Sequence, residues 1–116
     1  MRHEVTAVDT ALAVGSGDVE VLATPRLITW MEYETAQLAL RELQPGQTSV
    51  GTAVRIRHRL PTRVGDTVET VAHEPVVRDR QLVFQVSATN SAGQVIAEGV
   101  LERVIVDRAR FLANVP

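Results

Sequence analysis

One helix-length stretch interrupts a chain that otherwise alternates at period two, and no other feature constrains the fold as much. The stretch runs from about Pro25 to Leu43. Thr24 is a good N-cap type, and Pro25 suits the first helical position. Gln44-Pro45-Gly46 ends the helix, because proline cannot continue the hydrogen-bond ladder and glycine frees the turn. With Leu27 set at zero on a helical wheel, Met31, Leu38, Thr35, Ile28, Ala39, Leu43 and Ala36 fall within about half a circle. Such a helix has one apolar face to bury.

The alternating segments supply the surface that buries it. Val50, Thr52, Val54, Ile56, His58 and Leu60 share one face of a predicted strand, and Gly51, Ala53, Arg55, Arg57 and Arg59 share the other. Pro61 to Asp66 reads as a turn, Thr67 to Val77 as the next strand, and Arg78 to Gln81 as a hairpin link into Leu82, Phe84, Val86 and Ala88. Asn90-Ser91-Ala92-Gly93 is a second hairpin turn, Val95 to Val106 a long last strand, and Asp107 to Pro116 a closing arm. Before the helix, Glu4 to Val14 suits a first strand, Gly15 to Asp18 a turn, and Val19 to Ala23 a short extended approach. The chain holds 19 valines, 11 threonines and 4 isoleucines, so a sheet should carry much of the fold. Strand, long helix, then four antiparallel strands is an α+β domain with one helix on a sheet of five. One helix laid on a curled sheet of that kind describes the hotdog fold, although the order alone is not unique to it. At 116 residues the chain is one domain's worth of sequence, 1–116.

Composition narrows the chemistry. There is no cysteine, which removes disulfides, thiol nucleophiles and Cys-ligated metals. The three histidines lack the spacing of a ligand set, so neither a metal nor a resident cofactor is expected. A net charge of −2 and only four aromatics give no footprint for nucleic acid. All 12 basic residues are arginine, a compositional bias without mechanistic content. No apolar run approaches a membrane span, and no apolar leader follows Met1-Arg2-His3-Glu4, so a soluble cytoplasmic protein is the expectation.

Three polar residues break the pattern at the helix–sheet interface. Glu32 lies at about 140° on the wheel, beside Ile28, Ala39 and Leu43. A carboxylate there is costly unless it is paired, held neutral or extended to solvent. His58 shares its strand face with Val54 and Ile56. It is either a histidine satisfied by a backbone carbonyl or a proton-transfer group with a pKa near 6.5. Thr24 either caps the helix or offers its hydroxyl near the positive helix end as a donor or nucleophile. An acid and a histidine aimed into one interface have the shape of a catalytic pair. Arg55, Arg57 and Arg59 read as a solvated outer stripe, or as a surface for the phosphates of a nucleotide-bearing ligand. Gly51 reads as a bulge glycine, or as a point of close ligand approach.

Several of these residues lie in an ordered set of motifs. Gly15-Ser16-Gly17-Asp18-Val19-Glu20-Val21-Leu22-Ala23-Thr24-Pro25 is followed by Met31-Glu32, by Ser49-Val50-Gly51-Thr52 with His58 seven residues after the glycine, and by Gly99-Val100-Leu101-Glu102-Arg103-Val104-Ile105-Val106-Asp107 with Arg110-Phe111. This set resembles the hotdog thioesterases of the fluoroacetyl-CoA thioesterase family. The resemblance implies hydrolysis of an acyl-CoA thioester by Thr24, Glu32 and His58 acting together, with Pro25, Gly51 and Thr52 beside the substrate. It implies no cofactor beyond the coenzyme A of the substrate, and a homodimer with two sites at the subunit interface. Arg59-Leu60-Pro61-Thr62-Arg63 is bulkier and more basic than the family pattern, and Leu101 stands where a histidine is common, so the acyl group is left open. A non-catalytic acyl-CoA or small-ligand binding module on the same fold is the alternative.

Overall fold

Between Glu4 and Val14 the sequence predicts one strand, and the structure breaks it into three pieces. In the computed structural model, which describes residues 1–116, β1 covers only Arg2–Glu4, a 3-10 turn follows at Ala7–Asp9, and the short helix α1 spans Ala11–Val14. Short polar side chains cause the break. Asp9 Oδ2 accepts from the Thr6 N–H at 2.8 Å and the Thr6 hydroxyl at 2.9 Å, and Thr10 Oγ1 accepts from the Ala13 N–H at 3.2 Å. Such local bonds offer the backbone an alternative to the ladder.

The long helix α2 spans Thr24–Ala39, and a 3-10 turn extends it through Leu40–Glu42. It buries Leu27, Met31, Thr35 and Ala39, the predicted stripe, while Ile28, Ala36 and Leu38 are half-buried. The strands β2 (Gln47–His58), β3 (Thr67–Ala72), β4 (Val76–Arg78), β5 (Gln81–Asn90) and β6 (Val95–Asp107) follow, and a last short helix α3 (Arg108–Ala113) begins on the Asp107 cap. All pairings are antiparallel, in the order β1-β3-β5-β6-β2, with β4 also pairing β5. The five long segments of the prediction thus become six strands. The predicted Thr67–Val77 strand is split around Pro75, which has no N–H to give to a ladder.

Leu27 and Met31 of α2 meet Val68, Leu82, Phe84, Val86 and Leu101 in one buried cluster. Each such side chain contributes roughly 1.5–3 kcal/mol on burial. At the N-terminus the His3 ring stacks on Trp30 of α2 with centroids 4.3 Å apart, and so ties β1 to the helix. At Gly99 an added Cβ would overlap the Arg55 carbonyl, so β6 and β2 close on each other more tightly there than any side chain allows. Strand β2 has no partner on its outer edge.

Candidate active site

Thr24 does not cap the helix. The cap position is Ala23, and Thr24 is the first helical residue. Its hydroxyl is therefore free to act elsewhere, and Oγ1 lies 2.8 Å from Nδ1 of His58 at the end of β2. Nothing else bonds the imidazole through a side chain. Nε2 is buried with no partner. Burial pushes the His58 pKa below its ordinary 6.5, and the Leu60 backbone pulls weakly the other way. The neutral ring is the favoured form, with one nitrogen bonded to a hydroxyl and the other unpaired.

A second polar cluster lies further along the helix. Glu32 faces the sheet, as the wheel predicts, but its side chain keeps 41% of its surface in solvent. Its Oε2 sits 3.9 Å from Nη1 of Arg103, too long for a hydrogen bond. Arg103 is 8% exposed and is held from the other side. Its Nε donates to Ser49 Oγ at 2.9 Å, and its Nη2 donates to the Ser49 carbonyl at 3.1 Å. Burial lowers the Arg103 pKa, and the Glu32 charge opposes that shift.

A bulge sets this geometry. Gly51 pairs with Arg103 and Ala53 with Glu102, so Thr52 is one residue too many. The extra residue reverses the parity of the strand. Val54, Ile56 and His58 lie on the helix side of the sheet, although Val54 stays 42% exposed; upstream it is Ser49 and Gly51 that lie there, not Val50 and Thr52. Gly51 is the point of closest approach, because an added Cβ would stand 2.6 Å from Glu32 Oε2. The close neighbour of its bare backbone is a carboxylate of the chain itself. Thr52 donates from Oγ1 to the Glu102 carbonyl at 3.3 Å.

The structure thus joins Thr24 to His58 and Glu32 to Gly51 and Arg103. No hydrogen bond or ion pair joins Glu32 to the first pair within the chain. Pro25 lines the cavity beside Thr24 and His58. On the outer stripe, Arg55 pairs with Glu102 at 3.4 Å and Arg59 with Glu98 at 2.6 Å, while Arg57 makes no ion pair. Sequence reasoning overlooked Arg103 and Ser49 as site residues. The available signal was Arg103 at an inward position of the last strand, between Leu101 and Ile105, where an unpaired guanidinium is costly.

Comparison with known proteins agrees with this architecture. The family model of the fluoroacetyl-CoA-specific thioesterase matches residues 5–109. The fluoroacetyl-CoA thioesterase of Streptantibioticus cattleyicolor is 33% identical over 96 residues, which are 83% of this chain and 68% of that protein. A crystal structure of a point mutant of the fluoroacetyl-CoA-specific thioesterase, in complex with fluoroacetate and CoA, is similar at a TM-score of 0.88 and 28% identity, covering 97% of this chain and 92% of that one. A thioesterase superfamily member from Thermus thermophilus reaches a TM-score of 0.90 at 28% identity, covering 97% and 83%. A hot-dog-like protein from Thermanaerovibrio acidaminovorans shares the fold, with a TM-score of 0.87 at 23% identity, over 97% and 83%. The architecture of one long helix on a curled sheet is therefore the hotdog fold.

Proposed function

The chain belongs to the fluoroacetyl-CoA-specific thioesterase family, a family of thioester hydrolases, and on that premise we propose that residues 1–116 form one hotdog domain that hydrolyses a small or medium acyl-CoA to free acid and CoA. The 2.8 Å contact between Thr24 Oγ1 and His58 Nδ1 carries the reading. With the hydroxyl donating, Nδ1 takes the proton as Oγ1 attacks the thioester carbonyl. The oxyanion forms at the start of α2, where the Thr24 and Arg26 N–H groups have no helical acceptor. The C–S bond breaks, and CoA leaves with the proton from His58. Water then attacks the acyl-Thr24 ester and gives a proton to His58, which returns it to Thr24 as the acid departs. Pro25 lines the cavity beside this pair, while Gly51 and Thr52 lie with Glu32 in the second cluster and meet the substrate there.

Glu32 has a different placement. Eight helical residues separate it from Thr24, about 12 Å of rise, so it does not reach the same pair within one chain. A homodimer brings the two clusters together. The free edge of β2, twelve residues long, supports that assembly, since a long open edge recruits another strand. In the dimer, Glu32 of the partner subunit reaches the Thr24–His58 pair from outside the chain and stabilises the imidazolium that forms during proton transfer. A second reading makes Glu32 the base for direct attack by water, and its solvent-exposed, loosely paired carboxylate favours that role.

A screen of acyl-CoA thioesters with detection of free thiol tests the activity. Turnover is expected, and a flat background with every substrate would instead make the protein an acyl-CoA binding module. Acyl adduct on Thr24 after acid quench supports the covalent route, whereas a dimer that turns over with no adduct supports water. Mixing Glu32→Ala and His58→Ala protomers tests the sharing. One site per mixed dimer regains both groups if Glu32 acts across the interface, and none does if it acts within its own chain.

A further inference from the structure

Beside the Thr24–His58 pair lies a cavity of about 340 Å³, which both residues line. Its other walls include Ala11 of α1, Val19, Val21 and Leu22 of the approach to α2, and Leu60 after β2. Small-molecule sites run from roughly 300 to 1,000 Å³, so this one has room for a chain of a few carbons and not for a coenzyme. We propose that this cavity receives the acyl chain, and that the preferred substrates carry an uncharged, apolar acyl group longer than acetyl. The inference rests on the thioesterase reading above and adds the chemistry of the acyl group and the residues that measure its length.

Two observations select the occupant. The first is charge. Arg59 is the one charged residue of the lining, and its guanidinium is already bound to Glu98 at 2.6 Å. A carboxylate on the acyl group would meet only a half-exposed guanidinium whose charge Glu98 already offsets. The second is the state of the wall's backbone donors. The N–H groups of Ala11, Ser16, Leu22, Arg59 and Leu60 donate to the carbonyls of Val21, Ala11, Thr62, Ile96 and Ile96 respectively. Five of the lining N–H groups are thus taken, and the Thr24 N–H lies at the reacting end, so a buried pantetheine arm, whose amides need partners, finds few free groups deeper along that wall. A hydrocarbon chain needs none. Val19 and Leu60 stand 54% and 36% exposed, and a chain laid against them removes that apolar surface from water. The cavity opens on the reacting hydroxyl, so a chain inside it leaves the thioester at Thr24 and the CoA arm outside.

The experiment is a series of acyl-CoAs from acetyl to octanoyl, with succinyl-CoA as the charged comparison, run on the native protein and on Ala11→Val and Leu60→Ala. In the native protein kcat/KM is expected to rise by about tenfold per buried methylene up to the depth of the cavity. Ala11→Val narrows it, and the ratio of hexanoyl to acetyl kcat/KM should fall at least tenfold. Leu60→Ala widens it at a half-exposed position, and the optimum should move to longer chains. Leu60→Ala answers the question alone if the Ala11 variant does not fold. Losses equal at every chain length would place the pantetheine arm in the cavity and overturn the inference, as would succinyl-CoA turned over as fast as butyryl-CoA. Hydrolysis of the series with a flat profile overturns the inference and leaves the thioesterase reading standing, whereas no hydrolysis at all overturns both.

Discussion

The two polar clusters along α2 are built to different standards. Thr24 and His58 meet at hydrogen-bond distance where a helix starts and a strand ends, with the ring half-buried and neutral. Glu32 and Arg103 approach only to 3.9 Å, and the strong bonds of the arginine go to Ser49 instead. The first pair is finished within one chain. The second is a buried, clamped cation beside a half-free carboxylate. Preorganised contacts suit a group that must transfer a proton in a fixed geometry. A loosely held acid suits a group whose final partner arrives from outside the chain, as substrate or second subunit.

The largest expected effect breaks the first cluster. His58→Ala should lower kcat/KM by about 10⁴-fold, measured with the best acyl-CoA, while thermal unfolding shows a folded protein. A loss smaller than that of Glu32→Gln would reverse the ranking of the clusters. Glu32→Gln keeps the shape and removes the charge, and a loss of about 10³-fold is expected; unchanged turnover would remove Glu32 from the reaction. Gly51→Ala tests the second cluster by geometry alone. The new Cβ displaces the Glu32 carboxylate, and kcat should fall by up to about a hundredfold. A crystal structure with Glu32 unmoved would refute that cause.

The smallest effect is the pH dependence. Because the His58 pKa lies below 6.5, the neutral base persists into mild acid, and the acid limb of kcat/KM should fall below pH 6.5. A limb at or above 6.5 would mean a group other than this buried imidazole. The sign for stability follows from the same shift. The unfolded chain binds the proton more readily than the folded one, so stability should decline as pH falls through about 6.5 and level off once the folded histidine is also charged. His3, whose pKa is likewise lowered, first by burial and then by the N-terminal ammonium, adds to the same slope.

The parts of the molecule readable from sequence are those governed by a repeating period. The α2 stripe through Leu27, Met31, Thr35 and Ala39, and the alternation of Leu82, Phe84, Val86 and Ala88, lie where counting places them. Local exceptions were not readable. Thr24 has the residue type of a cap, yet the helix starts one position early and its hydroxyl turns to a histidine 34 residues away. The first strand dissolved because Thr6, Asp9 and Thr10 bind their own backbone, an option that a count of β-branched residues does not reveal. The wheel sent Glu32 to the sheet correctly, but its neighbours Gly51 and Arg103 depend on a pairing between strands about fifty residues apart. Period two gives the parity of each stretch and says nothing of where that parity is reset.

That reset makes the site sensitive to insertion and deletion in a way that substitution does not reveal. Thr52 is the single surplus residue that puts Ser49 and Gly51 on the same side as His58. Shortening the strand there by one would leave Thr24, Glu32, His58 and Arg103 all in the sequence, yet force a choice between a correctly aimed histidine and a correctly seated arginine. On the proposed mechanism, the length of β2 matters to the site as much as the identity of any side chain on it. Gaps in an alignment at this position should mark relatives that have lost or rebuilt the chemistry.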